Sequence, residues 1–190
     1  MDEAILTQRL AEGDKDALAE IVRRYRDMVL RAGARIVGNG ADAEDVAQEV
    51  FLKLMRKARQ FKGDAKVSTW LYRITVNTAL NHLRRRRWLS FADILGTRQE
   101  ETAPEPEFAA PDADRPDSHL ERKRDRQALD TALRSLPDRQ RTAFVLHRFE
   151  GLSYEQIADA MATSLSSVES LLHRARKGLQ SALLTYMEER

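Results

Sequence analysis

The chain has 190 residues, of which 33% are charged, with a formal net charge of +2 and a mean hydropathy of -0.56. This length can bury one good hydrophobic core or two small ones, but no apolar run approaches the roughly 18 residues of a membrane span, and the acidic N-terminus is unlike a signal peptide. The absence of cysteine excludes disulfides, a thiolate nucleophile and cysteine-ligated zinc, and it fits a reducing cytoplasm.

Every predicted element is a helix, because Ala, Leu, Arg and Glu dominate while β-branched runs and hairpin dipeptides are nearly absent. The second helix is predicted to end at GNG, whose glycines suit a left-handed cap. The predicted helices cover about 3–12, 15–37, 41–58, 68–88, 119–134, 138–149, 154–161 and 165–185. The predicted fold class is therefore all-α, with two small helical domains: an N-terminal helical bundle and a C-terminal helix-turn-helix domain.

The segment 91–118 is predicted as a flexible, acidic, proline-rich linker between these domains. It holds four of the five prolines and a net charge of -6, whereas residues 1–90 carry +6 and residues 119–190 carry +2. Proline removes backbone donors and like charges resist compaction, so an extended chain is favoured. Such a tether leaves the relative placement of the two domains open.

The third predicted helix has an ordinary buried face and a polar face that carries a single leucine, Leu52. Isolated exposed leucines are common, so this face could be a plain solvated surface. The alternative is a docking ridge for a basic helical partner, in which carboxylates and an amide surround an apolar knob. The residues of this docking ridge are Asp45, Gln48, Glu49, Leu52, Lys53 and Arg56.

The fourth predicted helix carries both tryptophans of the chain on one stripe with two amides and an arginine. This Asn/Trp stripe consists of Trp70, Asn77, Asn81, Arg84 and Trp88. Aromatic rings that stack on bases, amides that bond base edges and cations for phosphates are what single-stranded nucleic acid requires. Arg85 of the same RRRR run, and Lys62 and Lys66 in the preceding loop, add phosphate-neutralising charge. The alternatives are a core position for Trp70 and, for RRRR, a basic helix end favoured by the helix dipole.

The stretch LSYEQIADAMATSLSSVESLLHRARKGL has the pattern of a helix-turn-helix: a short helix, a tight turn and a longer second helix. Ser153 and Gln156 have capping-box spacing at the start of the first helix. Polar side chains of the second helix are predicted to approach base edges and phosphates of duplex DNA. They are Ser166, Ser167, Glu169, Ser170, His173, Arg174 and Lys177.

No enzyme site emerges from the sequence. The four histidines lack zinc-ligand spacing, there is no GxxxxGK phosphate loop, and no carboxylate pair stands out as an acid/base couple. No cofactor, metal or catalytic residue is therefore expected. From the residues alone, the pattern admits a self-sufficient dimeric repressor or activator, or a helical nucleic-acid-processing enzyme that would need a site these residues do not offer.

The order of DAEDVAQEVFLKLMRK, FKGDAKVSTWLYRITVNTALNHLRRRRW, an acidic linker and LPDRQRTAFVLHRFEGLSYEQIADAM closely resembles the extracytoplasmic-function (ECF, group IV) sigma factors of the sigma-70 superfamily. The resemblance covers nearly all of the chain outside the linker. It implies a sigma region 2 over 1–90, which binds core RNA polymerase through the docking ridge and captures melted bases of the −10 element through the Asn/Trp stripe and the loop before it. It implies a sigma region 4 over 119–190, which reads the −35 element as duplex.

The resemblance also implies a cytoplasmic protein without membrane insertion and a cognate anti-sigma factor that covers polymerase-binding surfaces. The linker would thread the basic channels of the polymerase, which supplies all the catalysis. The chain departs from the family pattern at the helix-turn-helix turn, where Ala162 stands in place of the common glycine. Early in the recognition helix, Glu169 and Leu171 stand where basic residues are common, which leaves the −35 readers and the promoter sequence open.

Overall fold

A computed structural model describes residues 3–58, 66–94 and 116–188 of the chain. Within these ranges all regular structure is helical, so the predicted all-α fold class is confirmed. The helices are α1 (Glu3–Ala11), α2 (Lys15–Val37), α3 (Gly40–Lys57), α4 (Val67–Ile94), α5 (Pro116–Ser135), α6 (Asp138–Arg148), α7 (Tyr154–Met161) and α8 (Leu165–Glu188).

The helix boundaries follow from local hydrogen bonds. The Asp14 side chain accepts from the first backbone N–H groups of α2, and the Asn39 side chain accepts from the Asp42 N–H at 2.8 Å at the start of α3. Between them, Gly38 ends α2 in the left-handed conformation with φ of 90°, as the GNG motif predicts. Two long antiparallel helices are thereby joined by a very short turn.

Helices α4, α5 and α8 are longer than predicted. Helix α4 continues past residue 88 to Ile94, and α8 continues past 185 to Glu188. Helix α5 begins at Pro116, before the predicted 119, because proline is tolerated in the first turn of a helix, where its missing N–H has no intrahelical partner. Residues 91–94 and 116–118, predicted as linker, are therefore helical, and the remainder of that segment lies outside the described residues.

The N-terminal domain (α1–α4) packs α2, α3 and α4 around a core of aliphatic side chains that includes Ile21, Val50 and Leu71. In the C-terminal domain (α5–α8), α5 lies against α8 with a smaller core around Leu133, Leu136 and Leu179. A methyl group at Gly178 would lie 2.7 Å from Leu136 Cδ2, so glycine permits this close approach.

The two domains are packed against each other. Helices α6 and α7 contact α2 and α4, and one continuous set of buried residues runs from the N-terminal core into α6, α7 and the start of α8. The flexible-tether interpretation left the relative placement open, and the structure shows a closed arrangement.

The turn between α7 and α8 places Ala162 in the left-handed region, with φ of 47° and ψ of 56°. We expect Ala162→Gly to raise the free energy of unfolding by about 0.5–1 kcal/mol. A residue with a Cβ atom is destabilised by roughly 1–2 kcal/mol in this conformation, and glycine is not. The larger conformational entropy of glycine in the unfolded chain cancels part of this stabilisation. Chemical denaturation of the full chain measures the change.

The matched control is Ala158→Gly, which removes the same methyl group from a helical position of α7. This variant is expected to lower the free energy of unfolding by about 1 kcal/mol. A loss of stability in Ala162→Gly as well would contradict a strained turn.

Candidate nucleic-acid and protein interfaces

Helix α4 is buried around most of its circumference and leaves one arc in solvent. Between Val67 and Leu83 its exposed side chains are Arg73, Asn77 and Asn81, which lie on the same face at intervals of one helical turn. Beyond Leu83 the side chains up to Ser90 are exposed, including Arg84, Arg85 and Trp88, with Trp88 at 75%. The Asn/Trp stripe therefore faces outward.

Trp70 differs from the other members of the Asn/Trp stripe. Its ring is half-buried and packs against the N-terminal core, in line with the core interpretation, and the rest of its surface is accessible to solvent. Arg73 was missed by the sequence reasoning, although its spacing of four residues before Asn77 places it beside the stripe. It adds a cation to the same face.

The amides and cations of this face lie close together. Arg84 Nη2 donates to Asn81 Oδ1 at 2.7 Å, and this exposed contact orients the amide along the helix. Lys66 is exposed immediately before α4, on the approach to the stripe. Lys62, predicted to neutralise phosphate in the preceding loop, lies outside the described residues.

The arginine run is anchored to α3 by a carboxylate at the start of that helix. Asp42 Oδ2 accepts from Arg86 Nη1 at 2.9 Å, and its Oδ1 lies 3.2 Å from His82 Nε2. Burial opposes ionisation of Asp42, but the hydrogen bonds from Asn39 and His82 and the nearby Arg86 guanidinium prevail, and the pKa of Asp42 is lowered. Asp42 thus fixes α4 against α3 just where the exposed arginines begin.

The docking ridge on α3 is exposed at five of its predicted positions. Leu52 is 49% exposed, and Asp45, Gln48, Glu49 and Arg56 surround it in solvent. Met55 is 50% exposed one turn from Leu52 and was missed, although the spacing of three residues places the two side chains together. The apolar knob is therefore a pair of side chains.

Lys53 is turned away from the centre of the docking ridge. Its Nζ lies 2.8 Å from Glu49 Oε1 and donates to Thr78 Oγ1 of α4 at 3.0 Å. The lysine is thus partly buried and connects α3 to α4, a contact that a wheel of α3 alone cannot show.

Helices α7 and α8 form the predicted helix-turn-helix. Ser153 Oγ accepts from the Gln156 N–H at 3.3 Å while Gln156 Oε1 accepts from the Ser153 N–H at 2.9 Å, which confirms the capping box. The buried face of α8 includes Val168 and Leu172.

All seven predicted recognition-helix residues lie on the outer side of α8. Ser167 is half-buried, and the others are exposed: Ser166, Glu169, Ser170, His173, Arg174 and Lys177. Ser164, which was missed, caps α8 by accepting from the Ser167 N–H at 3.2 Å, and its Oγ is 3.1 Å from that of Ser166. Arg176 also reaches back to the Tyr154 hydroxyl of α7 at 3.2 Å and fixes the two helices.

In the three described ranges, no group of three or more His, Asp or Glu side chains is arranged to hold a metal ion. Among the same residues, no helix combines the length and apolarity that a membrane crossing needs.

Two family models match the chain, one in each domain. Residues 21–89 match the family model of sigma-70 region 2, and residues 126–179 match that of sigma-70 region 4. The first match contains the docking ridge and the Asn/Trp stripe, and the second contains the helix-turn-helix. These matches define a sigma-70-type transcription initiation subunit.

Relatives that match nearly the whole chain identify the family within this class. The chain is 37% identical over 185 residues to the RNA polymerase sigma-H factor of Pseudomonas aeruginosa, covering 97% of this chain and 95% of that one. It is 34% identical over 184 residues to the ECF RNA polymerase sigma-E factor of Escherichia coli K12, covering 95% and 94%. The chain belongs to the ECF sigma factor family, whose members are non-catalytic subunits of transcription initiation.

Two solved structures show the same fold. CnrH, in complex with the cytosolic domain of CnrY, superposes with a TM-score of 0.66 at 24% identity, covering 96% of this chain and 97% of that one. The sigma factor RpoE of Bartonella quintana, in complex with the anti-sigma factor NepR, gives a TM-score of 0.63 at 24% identity, covering 87% and 95%. The all-helical architecture is thus shared.

The lowered pKa of Asp42 makes its contribution to stability dependent on pH. Because the folded value lies below the ordinary 3.8, the contribution is present above that pH and is lost as the pH falls through the folded value. We expect Asp42→Asn to be less stable than the wild type at neutral pH and to lose less stability on acidification below about pH 4. Urea denaturation at a series of pH values measures both.

The control for Asp42→Asn is Asp45→Asn, one turn later on α3, where the carboxylate is exposed and forms no comparable cluster. Its acid dependence should match that of the wild type. Parallel acid dependences of the wild type and Asp42→Asn would rule out the anchoring role of Asp42.

Proposed function

We propose that this ECF sigma factor binds core RNA polymerase and directs promoter-specific initiation, reading the −35 element as duplex DNA and capturing melted bases of the −10 element. The observation that carries the proposal is the outward Asn/Trp stripe on a helix that is otherwise buried up to Leu83. An exposed tryptophan, two amides and adjacent arginines are costly on a surface that binds nothing. Stacking, base-edge bonding and phosphate neutralisation would use each of them.

The two matched regions are assigned different binding roles. We assign 1–90 to polymerase binding and the −10 element, and 119–190 to the −35 element, with the connecting segment as linker. In the C-terminal domain, the recognition helix α8 presents short polar side chains near its N-terminus and Arg174 and Lys177 farther along. Short side chains suit base edges in the major groove, while the two cations suit phosphates.

The polymerase contact is assigned to the docking ridge with Met55 added. Leu52 and Met55 supply an apolar centre, and Asp45 and Glu49 supply carboxylates at its rim. An apolar centre with a charged rim is the usual anatomy of a protein interface and suits a basic helical partner. Lys53 serves mainly to hold α3 on α4.

An anti-sigma factor is the expected inhibitor, and the cytoplasm the expected site of action. A protein of similar fold, the sigma factor RpoE, has been solved in complex with the anti-sigma factor NepR, and another, CnrH, in complex with the cytosolic domain of CnrY. The exposed Leu52–Met55 pair offers a surface that an inhibitor could cover in competition with polymerase.

The test of the proposed function is in vitro transcription with bacterial core polymerase and a promoter taken from beside the gene of this chain. The protein is expected to bind core, to bind duplex DNA only weakly by itself, and to direct a defined start in the complex. Tight binding to duplex DNA as a dimer, without polymerase, would instead indicate a self-sufficient regulator.

The docking ridge is tested by Leu52→Asp, which places a charge at the centre of the apolar pair. Affinity for core polymerase is expected to fall roughly thirtyfold or more, because central apolar contacts are worth about 2 kcal/mol and an unpaired carboxylate adds a desolvation cost. Fluorescence anisotropy with labelled protein measures the affinity. Ile5→Asp is the control, since Ile5 is 53% exposed on α1 outside the ridge.

The core affinities of Leu52→Asp and Ile5→Asp are compared only if both variants unfold at the same denaturant concentration as the wild type, which shows that both are folded. Unchanged core affinity in Leu52→Asp, or an equal loss in Ile5→Asp, would exclude the ridge as the polymerase contact.

The Asn/Trp stripe is tested by Asn81→Ala. This variant is expected to keep its core affinity and to lose roughly tenfold or more in open-complex formation, since a good amide–base pair is worth about 1–3 kcal/mol. Equal loss on a pre-melted and a duplex template would indicate base reading, and loss on the duplex alone would indicate melting. Gln8→Ala, which removes an exposed amide from α1, is the control. Normal open complexes with Asn81→Ala would remove Asn81 from the interface.

A further inference from the structure

The recognition helix α8 carries one acidic side chain among those predicted to face DNA. Glu169 is exposed and is the fifth residue of the helix, one turn beyond its start. In helix-turn-helix proteins, the N-terminal residues of the second helix contact base edges in the major groove. On a helical wheel Glu169 lies within an arc of about 100° together with Ser166, Ser170, His173 and Lys177. It therefore belongs to the surface that would enter the groove.

The other unusual residue of this helix, Leu171, has a different position. Its side chain is partly buried and packs against the continuous set of buried residues. On the wheel it lies about 200° from Glu169, close to the opposite side of the helix. Leu171 therefore contributes to packing, and of the two departures from the family pattern only Glu169 is placed to meet DNA.

The fold itself makes no use of the Glu169 charge. The first turn of α8 contains no acidic residue, and the stabilisation of carboxylates by a helix dipole falls off beyond that turn. The residues three and four positions away are Leu165, Ser166, Leu172 and His173. None of them is a lysine or arginine that could form the usual ion pair along a helix. Within the described ranges, no hydrogen bond or ion pair engages the Glu169 carboxylate.

A carboxylate in the major groove requires a hydrogen-bond donor from a base. An ionised glutamate only accepts hydrogen bonds, and the DNA phosphates repel its charge. The donors on the major-groove edges are the N4 amino group of cytosine and the N6 amino group of adenine, whereas guanine and thymine present acceptors. Adenine also presents the acceptor N7 beside its amino group, which repels a carboxylate oxygen. Cytosine is therefore the base that fits Glu169 best.

We propose that Glu169 reads a cytosine in the −35 element by accepting a hydrogen bond from its N4 amino group. The proposal rests on the proposed function, in which α8 enters the major groove of that element. The order of preference at this base pair is cytosine, then adenine, and last guanine and thymine. An arginine at the same position would pair with O6 and N7 of guanine, so the glutamate changes the promoter sequence that the helix selects.

The base preference is measured by in vitro transcription with the full chain and core polymerase. The templates derive from the promoter beside the gene of this chain, with the upstream duplex element randomised and each template identified by a tag in its transcript. Sequencing of the transcripts then gives the initiation from every template. The wild type should favour cytosine over guanine and thymine at one position by roughly fivefold or more, as expected for a good contact between a side chain and a base.

Substitutions of Glu169 should change the preference at that position alone. Glu169→Gln should shift it to adenine, because an amide donates to N7 and accepts from the N6 amino group, and Glu169→Arg should shift it to guanine. Glu169→Ala should initiate equally from all four bases there. Glu188→Gln removes the same charge from the far end of α8 and should keep the preference of the wild type.

A change in the DNA tests the same contact without any change to the protein. Replacing the preferred cytosine by 2-pyrimidinone removes the N4 amino group and keeps the rest of the ring. Initiation by the wild type should fall roughly fivefold or more, whereas initiation by Glu169→Ala should be unchanged. Since the analogue also weakens the base pair, Glu169→Ala measures that effect separately.

Two results would overturn the reading role of Glu169. The first is an equal rise in initiation from all templates in Glu169→Gln and Glu169→Ala without a change in base preference, which would mean that the carboxylate only repels DNA. The second is an equal loss on the analogue with the wild type and Glu169→Ala. Defined starts by the wild type would leave the proposed function standing in both cases. Absence of initiation by the wild type from every template refutes the proposed function and the reading role together.

Discussion

The burial of helix α4 on two sides is the constraint on which the rest of the structure depends. Its residues pack against α2 and α3 within the N-terminal domain and against α6 and α7 of the C-terminal domain. Since Tyr72, Val76 and Ala79 are buried as well as Val67 and Leu71, the exposed part of the helix is reduced to a single arc up to Leu83. The amides of the Asn/Trp stripe are held on that arc by a rigid helix, which is how a binding group gains precision.

The same helix connects the two activities that family membership implies. Thr78 receives a hydrogen bond from Lys53 of the docking ridge helix, and Tyr72 donates to Glu150 of the C-terminal domain. The helix that carries the proposed docking ridge, a candidate DNA-reading face and an interdomain contact are therefore all supported by one element. Any movement of α6 and α7 away from α4 exposes an apolar surface to water. This separation therefore becomes more favourable when another protein covers that surface.

Local signals explain why the helices were predictable and why several site details were not. Helix ends set by neighbouring residues, such as the Gly38 cap and the Ser153–Gln156 capping box, could be predicted because the interactions lie within a few positions. The outward positions of Asn77, Asn81 and Trp88 were also predictable, because helical periodicity places them opposite the buried Tyr72 and Ala79.

The missed features depend on residues distant in the chain. A wheel of α4 predicts one buried face, because nothing in 67–94 shows that α7 covers the opposite side. Lys53 was predicted on the docking ridge, but its hydrogen-bond partner lies 25 positions later at Thr78. The pairing of Arg35 with Glu150 spans 115 positions, and such contacts have no periodic signal. Ala162 was recognised as a departure from the family glycine, and the structure supplies the reason in its left-handed φ of 47°.

The most direct measurement is site-specific photocrosslinking in the complex with core polymerase and promoter DNA. A photoreactive side chain at Asn77 should crosslink to the melted strand near the transcription start, and one at Arg174 should crosslink to duplex DNA upstream. If both positions crosslinked to the same DNA segment, or if the Asn77 position reacted only with DNA that stays double-stranded, α4 would not be the single-strand reader and the account would fail.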